Sequence, residues 1–301
     1  MSAPLVIGVD VGGTKILSGV VDREGHVLRS VERETPEGSE REVLAALDGS
    51  VDELLDEEIG AVGIGVPSHL ERGTHRILQA TNMALANLDL GSHVAGRFGL
   101  PVGVENDANA AALAEWTLGA GRRSSTLVVL TLGTGIGGGL VLDDRLYHGW
   151  AEVGHVVVQV DGPPCQGACT GRGHLEALAS GTAADRAARE LWGDDADSHV
   201  LVRRAEAGDE DARARLSEMG RVLGAAIGSF VNLFDPELVI VGGGFGIAAG
   251  ELLLAPAREV ARREALSPAD STLRIVPAEL GPEAGLVGAA LVGFEALDGV
   301  A

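Results

Sequence analysis

The sequence predicts an α/β protein built from two related halves, and three observations carry that expectation. Apolar, strand-like runs alternate along the chain with stretches of helical spacing, the pattern of strands and helices packed in layers. The segment Leu5 to Asp22, LVIGVDVGGTKILSGVVD, is partly echoed by Val128 to Asp143, VVLTLGTGIGGGLVLD. When Gly12 is laid on Gly133, Val20 falls on Val141 and Asp22 on Asp143, and each copy reads as apolar strand, glycine-rich turn, apolar strand. Finally, a length of 301 residues favours about two domains. Two half-molecules, each with a tight glycine turn, predict a ligand held between them.

After the first hairpin, Glu40 to Glu58 places Leu and Val at helical spacing with an acidic outer face, and Ala61 to Val66 reads as a buried strand stopped by Pro67. Pro101 to Glu105 is a further short strand. A helix then runs from Ala108 to Trp116, with either Asn106 or Asp107 as its N-cap. The second half opens near Ser124 with the echoed hairpin and passes through a Gly-, Pro- and Cys-rich loop, residues 154–173. Helices are predicted near Leu175 to Leu191 and from Asp211 to Phe234, where Asp235-Pro236 ends the second. Leu238 to Val241 is a strand running into three glycines, and Glu283 to Leu297 has the small-residue spacing of a packed helix.

Composition excludes several function classes. A hydrophobic content of 46% with 22% charged residues is normal for a well-cored globular chain, while a net charge of −21 argues against nucleic acid as a partner, because phosphate backbones require clustered Lys and Arg. An anionic nucleotide would need local help from backbone N–H groups, Lys15 and a divalent cation. The N-terminus lacks the basic and apolar regions of a signal peptide, and the longest uncharged run, Ser124 to Leu142, is too rich in Gly and Thr for a membrane span, so a cytoplasmic location is expected. The two cysteines stand four apart in CQGAC, which in a reducing compartment reads as a metal site or free thiols rather than a disulfide.

A glycine turn between strands lets backbone N–H groups approach a phosphate closely. Gly133 to Gly138, GTGIGG, matches the spacing of a dinucleotide fingerprint, but a strand follows it where that fingerprint needs a helix, and the chain has no GxxxxGK[ST] phosphate loop. Asp10 and Lys15 flank the first turn and give it chemistry that a plain hairpin does not need.

The segments DVGGTK (10–15), VENDANAAALAE (104–115), GTGIGGG (133–139), EVGH (152–155), RGHLEALASG (172–181) and DPELVIVGGG (235–244) together resemble the ROK family of sugar kinases, most of all its bacterial glucokinases, in the family's order and over nearly the whole chain. The resemblance implies an actin-like, hexokinase-like pair of α/β domains with ribonuclease H-like cores around a central cleft. We expect a small domain of residues 1–120 plus a C-terminal helix of about 283–301, and a large domain of 121–282 with an inserted Cys/His loop at 154–174. It also implies ATP-dependent phosphorylation of glucose. Because an exposed γ-phosphate would be lost to water, closure of the domains on sugar is expected, about hinges near 118–123, where Gly119 and Gly121 interrupt the helical pattern, and near Pro282.

Residue by residue, the resemblance makes Asp107 the base that takes the sugar proton. The sugar-binding set is Asn82, Asn106, Asp107, Glu152, His155 and Glu176, with backbone from Gly65. Asp10 would orient Mg²⁺ through water, with Gly12, Gly13, Thr14 and Lys15 near the phosphates. Gly133, Thr134 and Gly135 would form the opposing clasp, and Gly243 and Gly244 would border the adenosine. Resembling proteins hold a structural Zn²⁺ with one His and three Cys; here His174 stands at the third Cys position, leaving a His155, Cys165, Cys169, His174 set. Alternatives are a kinase for mannose, fructose or N-acetylmannosamine, one using polyphosphate, or a sugar-responsive regulator, although regulators of the family carry a DNA-binding segment before the DxGGTK motif and nine residues precede Asp10 here. The family implies a homodimer or homotetramer. The remaining histidines, including His69, His148 and His199, read as surface or packing residues, Asp194 to Asp197 as a solvated turn, and Trp150 as a core or interface anchor.

Overall fold

The computed structural model of the chain describes residues 4–71, 74, 76–80 and 83–299. The chain divides into two compact units: residues up to Leu118, His148–Trp150 and Glu283 onward form the first, and Gly119–Tyr147 with Ala151–Pro282 the second.

In the first unit the hairpin β1 (Leu5–Val11) and β2 (Lys15–Val21) continues into β3 (Val27–Glu34) and helix α1 (Glu40–Leu54); β4 (Ile59–Val66) follows. A small antiparallel sheet of β5 (Ser68–Leu70), β6 (Arg76–Ala80) and β7 (Ala86–Asp89) precedes α2 (Leu90–Phe98), β8 (Val102–Asn106) and α3 (Asp107–Thr117). The main sheet has the order β3-β2-β1-β4-β8, with β1, β4 and β8 parallel. Its two faces are set by alternation along the strands. Ile7, Val9, Val62, Ile64 and Val104 join Val43, Leu47 and Val51 of α1 in one core. The intervening Gly8, Gly63 and Gly103 sit where a Cβ would meet backbone carbonyls of α10 (Ala284–Asp298), so glycine is what lets that helix lie directly on the other face.

In the second unit β9 (Leu127–Leu132) and β10 (Ile136–Val141) form the echoed hairpin, and an irregular stretch leads to α4 (Leu175–Ala179), α5 (Gly181–Trp192), α6 (Ser198–Glu206) and the long α7 (Glu210–Phe234). After β11 (Leu238–Gly242), α8 (Gly244–Glu264) packs along α7, and α9 (Ala269–Thr272) and β12 (Arg274–Pro277) complete the sheet, ordered β10-β9-β11-β12. An antiparallel hairpin followed by two parallel neighbours occurs in both units, as β2-β1-β4-β8 and as β10-β9-β11-β12. The duplication read in the sequence is thus a duplication of sheet topology.

Several elements differ from their expected bounds. Helix α1 ends at Leu54 rather than Glu58, because Leu55 is extended. The helix expected over 175–191 is two helices, broken at Ser180, whose extended backbone lets its hydroxyl accept from Ala183 N–H. Asp197, expected in a solvated turn, instead caps α6 by accepting from Val200 N–H. No helix among the described residues is long and apolar enough to cross a membrane.

Candidate active site

Parallel strands deliver their carboxyl ends to one edge of a sheet, where α/β proteins place ligands. In the first unit, Asp10 of β1 pairs in register with Gly65 of β4, which pairs with Glu105 of β8; Val66 and Asn106 follow one step on. The turn Gly12 to Lys15 leaves from this edge, closed by Gly12 N–H donating to Lys15 O at 2.8 Å and buttressed by the Thr35 hydroxyl donating to Gly12 O at 2.7 Å. Lys15 itself pairs with Glu32, both exposed.

The cap of α3 belongs to Asn106. Its side-chain oxygen accepts from Ala108 and Asn109 N–H at 3.0 and 3.1 Å, while its amide donates to Ser68 O at 3.2 Å. Asp107 is therefore the first residue of the helix rather than its cap, with its Cα 3.6 Å from where a Gly65 side chain would begin. Asp10 is half-buried and its carboxyl is pushed up to about 6 by burial, against the pull of the Lys15 ammonium. A Cβ on Gly285, at the start of α10, would lie 2.4 Å from Asp10 Oδ2, so that glycine is the seat of the carboxylate. Asn82 lies outside the described residues.

In the second unit, the turn Gly133 to Gly135 faces two helix starts. Gly181 N–H of α5 donates to Gly133 O at 2.8 Å, and Gly243, at φ +79°, presses on Leu132, where any Cβ would come within 2.4 Å of the backbone. Gly133, Thr134 and Gly181, with Thr182, Asp185, Ser198, His199, Gly244 and Phe245, line a cavity of about 270 Å³ whose lining includes one carboxylate and one imidazole. Asp185 is fixed by accepting from Ser198 N–H at 2.7 Å.

Glu152 begins the short 3-10 turn that carries His155, and the two side chains stand 3.9 Å apart. Glu176 is held from two sides: Ile136 N–H donates to its Oε2 at 2.9 Å and the Cys165 thiol to its Oε1 at 3.7 Å. It thus ties the second glycine turn to the Cys/His loop.

In that loop the donor atoms of His155, Cys165, Cys169 and His174 all lie within 4.8 Å of one another. His155 Nδ1 and His174 Nδ1 are 3.2 Å apart, and the Cys165 and Cys169 sulfurs are 3.7 and 3.6 Å from the His155 and His174 nitrogens. A tetrahedral zinc with its usual bond lengths separates N from N by about 3.3 Å and S from N by about 3.6 Å, which these three separations match. Burial first, then Cys169 and Glu176, push the Cys165 thiol up to about 11. Gly171 permits this approach, since a Cβ there would strike the His174 ring at 2.2 Å.

Sequence reasoning missed Asp185, His199 and Phe245, which no motif marks, and assigned His148 no partner. His148 Nδ1 in fact lies 2.7 Å from Glu105 Oε2. Trp150 is more than half exposed, stacked against His69 rather than buried in a core.

The ROK family model matches residues 6–294. A glucokinase of Thermotoga maritima is 38% identical over 98% of this chain and 98% of its own, and a glucokinase of Streptomyces coelicolor 37% identical over 95% and 96%. The crystal structure of a ROK family glucokinase from Streptomyces griseus, in complex with glucose and AMPPNP, superposes with a TM-score of 0.85 at 35% identity, covering 97% of this chain and 99% of that one.

Proposed function

The chain belongs to the ROK family, and from that premise we propose that it is a glucokinase, transferring the γ-phosphoryl group of ATP to the 6-hydroxyl of glucose. The observation that supports the mechanism is that Asn106, not Asp107, caps α3; we assign Asp107 as the base. As the sugar oxygen attacks the γ-phosphorus, its proton passes to the Asp107 carboxylate, the new P–O bond forms, and the bond to the β–γ bridging oxygen breaks with ADP leaving. Gly65, Asn82, Asn106, Glu152, His155 and Glu176 hold the remaining hydroxyls. Isomers that leave these polar groups unpaired once a sugar covers them are penalised.

The phosphates are assigned to the turn Gly12, Gly13, Thr14 and Lys15 and to Gly133, Thr134 and Gly135. Bound Mg²⁺ supplies neutralisation of charge on the β- and γ-phosphates, and Asp10 would hold it through water. Gly243 and Gly244 border the adenosine in the cavity of the second unit. A lining that mixes Val202, Phe245 and Ala248 with Thr182, Ser198 and His199 supports a nucleoside there. His155, Cys165, Cys169 and His174 would hold one structural Zn²⁺, which constrains a loop too rich in Gly and Pro to order itself. We place the enzyme in the cytoplasm as a homodimer or homotetramer, which sedimentation tests.

A coupled assay over glucose, mannose, fructose and N-acetylmannosamine, each with ATP or polyphosphate, tests the reading. Glucose 6-phosphate from glucose, ATP and Mg²⁺ is expected. Turnover confined to another sugar or to polyphosphate would overturn the substrate or donor assignment, and no turnover with any pair would overturn the kinase.

A further inference from the structure

Glu105 is 8% exposed, adjoins the Asn106–Asp107 pair, and has no part in the mechanism above. A buried carboxylate costs several kcal/mol unless donors surround it, on the order of 1–3 kcal/mol for each group left unpaired. Here three donors converge. Glu105 Oε1 accepts from the backbone N–H of Asn106 at 2.8 Å and from the side-chain amide of Asn109 at 3.0 Å, and Oε2 lies 2.7 Å from His148 Nδ1. One oxygen thereby grips the residue before Asp107 and a residue one half-turn after it, fixing the first turn of α3 on both sides of the base.

The other oxygen holds a different part of the chain. His148–Trp150 packs with the first unit while the residues on either side, Tyr147 and Ala151, belong to the second. The tripeptide is anchored three ways: by the His148–Glu105 contact, by Trp150 Nε1 donating to Leu70 O at 3.3 Å, and by the Trp150 ring lying 4.7 Å from that of His69. Glu152 and His155 follow directly along the chain. The Glu105 hydrogen bond draws the His148 pKa upward, and half-buried Glu295 of α10 adds to it.

We propose that Glu105 is a positioning residue for the Asp107 base, and that His148, held on its second oxygen, keeps the Glu105 carboxylate in place. The proposal rests on the kinase reading above. It differs from a purely structural clamp in what it does to the kinetics.

Gln at 105 offers one acceptor oxygen where Glu offers two, so at least one of the three donors loses its partner. Glu105→Gln should lower kcat by about 10- to 100-fold, the scale of a misplaced catalytic group, with the KM for ATP unchanged. His148→Ala, at a largely exposed side chain that tolerates truncation, should lower kcat in the same direction but less. The double variant should match Glu105→Gln alone, because His148 then has nothing to hold. Without any substrate, the His148 ring, followed by NMR, should titrate at lower pH in Glu105→Gln than in wild type.

Additive effects of the two substitutions, a kcat within twofold of wild type in Glu105→Gln, or an unshifted His148 titration would overturn the proposal. If Glu105→Gln does not fold, His148→Ala decides, and an unchanged kcat would overturn it. Wild-type protein inert toward glucose with the His148 shift intact would instead break the functional reading.

Discussion

At the end of β1 the glycine turn is flanked by Asp10 and Lys15; at the end of β9 the matching positions are Thr131 and Ile136. The two turns share backbone logic, since the matching carbonyls of Gly12 and Gly133 both accept a hydrogen bond from a supporting element. The supports differ. Gly12 O receives the Thr35 hydroxyl, and Gly133 O receives the N–H of Gly181 at the start of α5. One copy of the scaffold carries charge at its turn, and the other meets the crowded start of two helices. Under the proposed function, the charged turn would serve the phosphates and the crowded one the nucleoside.

Removing the chemistry of the first unit alone should break that division most sharply. Asp107→Asn keeps the shape and some hydrogen bonding but cannot accept the proton, so kcat should fall by about 10²- to 10⁴-fold, with only modestly weaker glucose binding by calorimetry. A near wild-type kcat would remove Asp107 from the mechanism. The next largest effect tests the seat of Asp10. Ala in place of Gly inside a helix ordinarily stabilises by about 0.5–1 kcal/mol, yet a Cβ at position 285 meets only the Asp10 carboxyl among its nearest atoms. Gly285→Ala should thus lose on the order of 10²-fold in kcat with an unchanged or raised Tm. A destabilised but fully active variant would show that the close approach serves packing and nothing else.

The second unit is expected to respond in binding before it responds in rate. Cys169→Ser, or chelation of zinc, should raise the KM for glucose about tenfold and leave the KM for ATP near wild type, because the proposed function has His155 both ligate zinc and bind sugar. Elemental analysis of protein purified without chelator should find one zinc per chain; its absence, or an unchanged glucose KM in Cys169→Ser, counts against the site.

What the sequence made legible follows from how locally each feature is encoded. The hairpins, β4, β8 and α7 announce themselves by period and by stops such as Pro67 and Asp235-Pro236, and the two glycine turns by composition. The choice between Asn106 and Asp107 as cap stayed open because both residue types cap well; the structure gives it to Asn106 through two backbone N–H groups. Helix α8 was hidden by Pro256 and by Gly250, which kinks it, and α6 by its polar composition. Asp185, His199 and Phe245 come together only through the packing of α5, α6 and α8, and His148 meets Glu105 across 43 residues of chain. Such contacts leave no local pattern to read.

The smallest effect isolates the electrostatic difference between the two turns. Burial lifts the Asp10 carboxyl to about 6 from an ordinary 3.8, with Lys15 opposing. Between those values the folded protein binds a proton that the unfolded chain has released, so stability declines as pH rises through this window, and above it the folded state carries the whole cost of an ionised, half-buried carboxylate. A shift of this size corresponds to at most about 3 kcal/mol. In Mg²⁺-free buffer at neutral pH, Asp10→Asn should therefore melt a few degrees above wild type, and near pH 3 the two should converge, since wild-type Asp10 is then neutral in both states. Mg²⁺ with ATP should narrow the gap at neutral pH by binding the native wild type preferentially. Thr131→Ala, at the matching place in the uncharged turn, should change Tm by the same amount at every pH. A pH-independent difference for Asp10→Asn would assign its effect to packing, and the contrast between a charged and an uncharged turn would then lose its energetic basis.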